Sequence, residues 1–157
     1  MPSPGRLDPT DARLLLALND DPRATTVALA EQTGLSRNTV QARLTRLDER
    51  LHSHERRVSP KSLGYPLTAY VTTQVHQRLL DEVAAALDGI PEVIQVQGLS
   101  GQTDLLVQVV ATDADDLYRI AGQILAIDGV VRTNTALVMR ELVDYRLTPL
   151  IRRCATG

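Results

Sequence analysis

A chain of 157 residues with 43% hydrophobic and 23% charged residues can bury one moderate core or two small ones, and its composition is not that of a disordered polymer. No apolar run is long enough to span a bilayer, and the opening Met1-Pro2-Ser3-Pro4-Gly5-Arg6 lacks the charged-then-apolar pattern of a secretory signal. A cytoplasmic protein without a membrane partner is therefore expected. The single cysteine, Cys154, excludes an intrachain disulfide and any cysteine-built metal centre.

The net charge of −2 hides an uneven distribution. Residues 1–62 hold ten basic against eight acidic side chains, whereas residues 63–157 hold seven against eleven. The excess is sharpest over 36–61, where Arg37, Arg43, Arg46, Arg50, Arg56, Arg57 and Lys61 face only Asp48, Glu49 and Glu55. Such a basic stripe over one helix and its tail is the electrostatic footprint of nucleic-acid binding.

A first helix is announced by Asp8 as a cap, Pro9 at the first helical position and Asp11 in the first turn, with Leu14, Leu15 and Leu18 as its apolar face. Asn19-Asp20-Asp21-Pro22 breaks it. Thr25 or Thr26 then caps a short helix over about Val27–Thr33, which Gly34 ends. Ser36 caps the next helix almost at once, and this is helix-turn-helix spacing. The third helix is predicted over Arg37–Leu51, with Val40, Leu44, Leu47 and Leu51 turned to the core. Its other side is polar and rich in hydrogen-bonding groups, able to meet base edges in a major groove, while the capped N-terminus suits a phosphate.

His52–Pro66 lacks periodicity and reads as a linker. Leu67, Ala69, Val71, Thr73 and Val75 then alternate with polar or larger residues as a strand with one buried face requires. A helical stripe (Leu79, Leu80, Val83, Ala84, Leu87) ends at Asp88-Gly89, Val93–Gly98 is a short strand, and Leu105–Ala111 reads as a central strand. A second helix with Leu117, Ile120, Ala121, Ile124 and Leu125 ends at Asp128-Gly129, forty residues after the first such stop, before a last strand over Val130–Met139. The order β-α-β-β-α-β is the ferredoxin-like split pattern, which leaves one sheet face without helices. A partner subunit is the economical cover. The fold class expected is thus α+β: residues 1–55 a helix-turn-helix (winged-helix-like) domain, 56–66 a linker, and 67–157 a βαββαβ sensing and oligomerisation domain.

Leu7-Asp8 with its helix, Leu29-Ala30, Gly34-Leu35-Ser36, Thr39-Val40, Arg43-Leu44, Arg46-Leu47-Asp48, Leu63-Gly64, and Gly101-Gln102-Thr103-Asp104 before an apolar strand carry a resemblance. From Leu7 almost to its end the chain resembles the feast/famine, or Lrp/AsnC, family of transcription regulators. That resemblance implies double-stranded DNA as a partner, homodimers or octamers, and an amino-acid effector held between subunits, with no other cofactor and no metal. One departure stands out: family members follow the third helix with a Gly-hydrophobic-Ile stretch and a short hairpin. This chain has Leu51-His52-Ser53-His54-Glu55-Arg56-Arg57 and is about two residues shorter, so its wing is expected to differ.

Arg37, Asn38, Thr39, Gln41 and Arg43 are the candidate groove contacts, and Ser36, Arg46, Arg50 and Arg57 the candidate phosphate or positioning contacts. For an effector the candidates are Gly98, Leu99, Ser100, Gly101, Gln102, Thr103 and Asp104, with Thr133 and Thr135 from the last strand. Backbone N–H groups of the loop can meet a carboxylate while the Asp104 carboxylate meets an ammonium group, the two ends of an α-amino acid. The same residues also suit a plain turn in which Asp104 bonds local backbone. His52, His54 and His76 are too scattered for a metal site within one domain. Two rival readings share this fold: an enzyme similar to the sirohaem decarboxylases, in which His54 or His76 would serve, and a companion sensor that does not bind DNA.

Overall fold

The computed structural model describes residues 7–156, which form two compact units. In the first, α1 (Pro9–Asp20), α2 (Thr26–Thr33) and α3 (Arg37–Asp48) enclose Leu14, Leu29, Val40 and Leu47, each at most 1% exposed. Leu7, Leu15, Leu18, Leu35 and Leu44 ring this cluster. Burial of four such side chains at about 1.5–3 kcal/mol each is what holds three short helices together, since none would persist alone. Each of these three helix starts has a cap that the sequence offers. The Asp8 side chain accepts the Asp11 N–H at 2.8 Å, Thr25 accepts that of Ala28 at 3.2 Å, and Ser36 accepts that of Thr39 at 3.1 Å. Gly34, at φ +70°, ends α2 in the left-handed conformation, and its N–H returns to the Ala30 carbonyl.

The second unit contains β1 (Leu67–Val75), α4 (Leu80–Asp88), β2 (Val93–Gly98), β3 (Leu105–Ala111), α5 (Ala114–Leu125) and β4 (Val130–Leu137). The strands form one antiparallel sheet in the order β2-β3-β1-β4, the split βαβ arrangement expected. The alternation in β1 is realised: Ala69, Val71, Thr73 and Val75 are buried on one face. There Ala69, Val71 and Val75 pack with Val107, Val109, Val83, Leu87, Ile120 and Ile124 under α4 and α5. The other face carries Thr68, Tyr70, Thr72 and Gln74 of β1, flanked in register by Gln108 and Leu106 of β3 and by Ala136, Asn134 and Arg132 of β4. Tyr70 is exposed there.

The structure departs from the sequence expectations at three places. The third helix stops at Asp48, and Leu51, expected in the core, is 49% exposed, because the chain leaves the helix before that position comes round to the cluster. Residues 52–66 hold two short 3-10 turns, His54–Arg57 and Pro60–Leu63, and no strand, so no winged hairpin forms there. A further helix, α6 (Thr148–Thr156), follows β4, and the segment from Val143 belongs to the same compact unit as α1–α3. It packs against α1. The compact unit that holds the sheet runs from His54 to Leu142.

Candidate nucleic-acid interface and effector loop

The first two turns of α3 follow directly from the Gly34 turn and the Ser36 cap. Ser36, Arg37, Asn38, Thr39 and Gln41 are all exposed, and they lie together at the N-terminal end of that helix. The Thr39 hydroxyl is 2.8 Å from the Ser36 hydroxyl, and Gln41 accepts a 3.4 Å hydrogen bond from Thr26 of α2. These contacts steady the short side chains and leave Arg37 and Asn38 extended from the helix start, where the partial positive charge of the helix end also lies.

Arg43 is placed differently. Its Nη1 donates to Asp8 Oδ2 at 2.6 Å and to Asp11 Oδ1 at 2.7 Å, and its side chain is only 23% exposed. Asp11 is 2% exposed. Arg46 and Arg50 stand 3.7 and 3.6 Å from the same carboxylate, as charge contacts without hydrogen-bond geometry. The Arg43 guanidinium, then the Asp11 backbone N–H, hold the Asp8 carboxyl below its ordinary value, and the two carboxylates hold the Arg43 guanidinium more firmly protonated. Of the residues expected at DNA, then, the first five gather on one exposed surface, whereas Arg43, Arg46 and Arg50 gather around a buried aspartate. Arg57 is exposed in a 3-10 turn of the second unit.

In the second unit the loop Leu99–Asp104 is tied to the end of β1. The Asp104 N–H donates to the Thr73 carbonyl at 2.9 Å, and the Leu99 N–H donates to the Asp104 carbonyl at 2.8 Å. Both carboxylate oxygens of Asp104 have partners: Oδ2 accepts the Val75 N–H at 2.8 Å and Oδ1 accepts from the Gln77 amide at 2.6 Å. The sheet register shifts between Gln74 and Val75, where that side chain takes up the backbone donor. Gln74 donates to the Gln102 carbonyl at 2.7 Å, and Gly101 turns the loop at φ +125°. The Asp104 side chain thus bonds the end of β1 and its sequel, not the local backbone of a plain turn, and a carboxylate retains further acceptor directions for an ammonium group.

Gly98, Leu99, Ser100, Gly101 and Gln102 are exposed, and Thr103 is half-buried. Thr133 pairs with Thr73, beside the loop's anchor, while Thr135 pairs with Val71, one step further from it along the strand face. Gln74 and Gln77 were not singled out in the sequence. Their only signal was position, at the end of a strand that the loop must meet. Among the described residues no cluster of three metal-ligating side chains occurs.

A capped, exposed recognition helix in a helix-turn-helix, joined to a split βαβ sheet, defines a DNA-binding transcription regulator with a ligand-binding domain. The family model for the AsnC-type helix-turn-helix domain matches residues 7–48, and that for the Lrp/AsnC ligand-binding domain matches residues 68–148. The chain belongs to the Lrp/AsnC family. Among its relatives, the HTH-type transcriptional regulator AldR of Mycolicibacterium smegmatis is 31% identical over 87% of this chain and 83% of that protein. The regulator FL11 of Pyrococcus furiosus is 28% identical over 87% and 91%. The structure of AsnC from E. coli superposes with a TM-score of 0.82 at 23% identity, covering 92% of this chain and all of the other, a likeness of fold. The Neisseria meningitidis regulator NMB0573, solved as a complex with L-Met, gives 0.75 at 27% identity over 88% and 94%. The relatives are regulators, and the chain is a regulator and not an enzyme.

Proposed function

We propose that this protein is a cytoplasmic, homo-oligomeric regulator that binds specific double-stranded DNA sites and responds to an amino acid. The observation that carries the reading is the exposed Ser36–Gln41 surface at the capped start of α3, which offers base-reading side chains and a phosphate-binding helix end together. Arg37, Asn38, Thr39 and Gln41 are its groove contacts, Ser36 sits at a phosphate, and Arg46, Arg50 and Arg57 supply positive charge near the backbone. The uncovered sheet face around Tyr70 is where a second copy packs, forming a dimer that builds larger assemblies such as octamers.

The effector reading rests on the loop 98–104, whose backbone and Asp104 offer complementary ends to an α-amino acid, with Thr133 and Thr135 lining the nearby strand. It is supported by the L-Met complex of NMB0573, a relative in fold and sequence. No helix among the described residues is long and apolar enough to cross a membrane, in keeping with the cytoplasmic placement.

Fluorescence anisotropy with the duplex upstream of the protein's own gene, at two salt concentrations and with or without each of the twenty amino acids, tests the proposal. Tight, salt-dependent binding that prefers this duplex and changes with one amino acid supports it. Binding no better than to an unrelated duplex, in every condition, would favour a companion sensor instead.

A further inference from the structure

Arg43 and Arg46 of α3, and Arg50 just past its end, recur at intervals of three and four, and all three reach Asp11 of α1. At about 100° per residue, Arg43 points roughly 140–160° away from Asn38 and Gln41 around the helix. It lies about 40° from Thr39, yet its guanidinium is turned to α1 and not to the groove-facing surface. A single nitrogen, Nη1, is held by Asp8 and Asp11, one turn apart on α1. Asp8 uses its other oxygen to cap the same helix through the Asp11 N–H. The start of α1 and the middle of α3 are thereby fastened through one carboxylate, and Asp11, 2% exposed, brings a buried charge that, among the described residues, these arginines answer. The Arg43 Nε is itself buried without a partner, so the guanidinium is placed by its outer nitrogen alone.

We infer that Asp8, Asp11 and Arg43 form a clasp that fixes the rotation of the recognition helix, making Arg43 a positioning residue for DNA recognition and not a reader of bases. A Lys at 43 keeps the charge but is one atom shorter, so its ammonium falls where the guanidinium carbon stands, short of the Nη1 position between the two carboxylates. An Asn at 8 keeps the cap and removes the charge. Neither change alters the surface at Arg37, Asn38 and Gln41, and Asp8 carries no positive charge with which to meet DNA. A rotated α3 misaligns the groove contacts while leaving the count of phosphate contacts intact.

The inference rests on the reading of sequence-specific binding, and its test keeps the two apart. The full-length wild type, R43K and D8N are titrated by anisotropy against the upstream duplex and an unrelated duplex of equal length, over a range of salt. Both variants are expected to weaken binding to the upstream duplex about ten-fold and to the unrelated duplex less than two-fold, with an unchanged slope of log affinity on log salt. Because a Lys would still neutralise a phosphate, R43Q is titrated alongside: a slope reduced by about 0.9 in R43Q would place Arg43 on a phosphate, and, on duplexes changed one base pair at a time, preference relaxed at one pair in R43K but not D8N would make it a base reader. Either result overturns the inference, as does a lowered unfolding temperature with unaltered DNA affinity. A wild type with no preference between duplexes overturns specific binding and the clasp's role in it. The pairing itself is read separately from a thermal-unfolding cycle of D8N, R43Q and the double variant: losses short of additive confirm it, and fully additive losses refute it.

Discussion

At the scale of single residues, charge at Asp8 and backbone conformation at Gly129 each constrain the fold. Asp8 is a carboxylate whose folded-state pKa lies below its ordinary value because Arg43 and the Asp11 N–H favour the charged form. A depressed pKa contributes stability that is present above the unfolded value near 3.8 and lost as pH falls through the folded one. D8N is therefore expected to flatten the acid limb of a stability-against-pH curve below about pH 4, with little change in that limb's shape above it. Urea denaturation of wild type and variant across pH 2–6 checks this. Gly129 shows the other constraint. It is buried at φ +95°, and a Cβ there would stand 2.9 Å from Leu79 Cβ and 3.0 Å from Val83 Cγ2, while its carbonyl accepts the His76 N–H at 2.8 Å. Strain and overpacking add, so Gly129→Ala should cost about 2–4 kcal/mol, measured by chemical denaturation.

Among the elements, helices are held by faces that their own sequences announce and by partners that they do not. Leu47 is 1% exposed in the first core cluster, whereas Leu51, four residues on in the same periodic series, is 49% exposed. Leu47→Ala is expected to destabilise by about 2–5 kcal/mol and Leu51→Ala by less than about 0.5 kcal/mol, a contrast that thermal unfolding resolves. The α6 helix is the partner that periodicity could not assign: it is short, and its contact with α1 joins residues more than a hundred positions apart. Truncation after Arg146 should lower the unfolding temperature of the helix-turn-helix unit and raise amide exchange in α1. Unchanged exchange in α1 would mean that the contact contributes little.

For the whole molecule, the sheet face around Tyr70, Leu106 and Ala136 is the surface that assembly must use if the protein oligomerises as proposed. Tyr70→Arg should lower the mass measured by light scattering and make unfolding independent of protein concentration, whereas an unchanged mass would place the interface elsewhere. The sequence by itself determined the caps at Asp8 and Ser36, narrowed that of the second helix to Thr25 or Thr26, and determined the Gly34 turn, the alternation in β1 and the β-α-β-β-α-β order, because each is a local pattern enforced by backbone geometry or by burial on one face. It also made the exposed start of α3 legible, since cap and polarity lie within six residues. Only the tertiary structure decided where Arg43 goes, that Gln74 and Gln77 hold the 99–104 loop, and that α6 joins α1. Each of these depends on groups brought together from distant parts of the chain, and a long side chain or an unpaired helix face does not encode its partner in its neighbours.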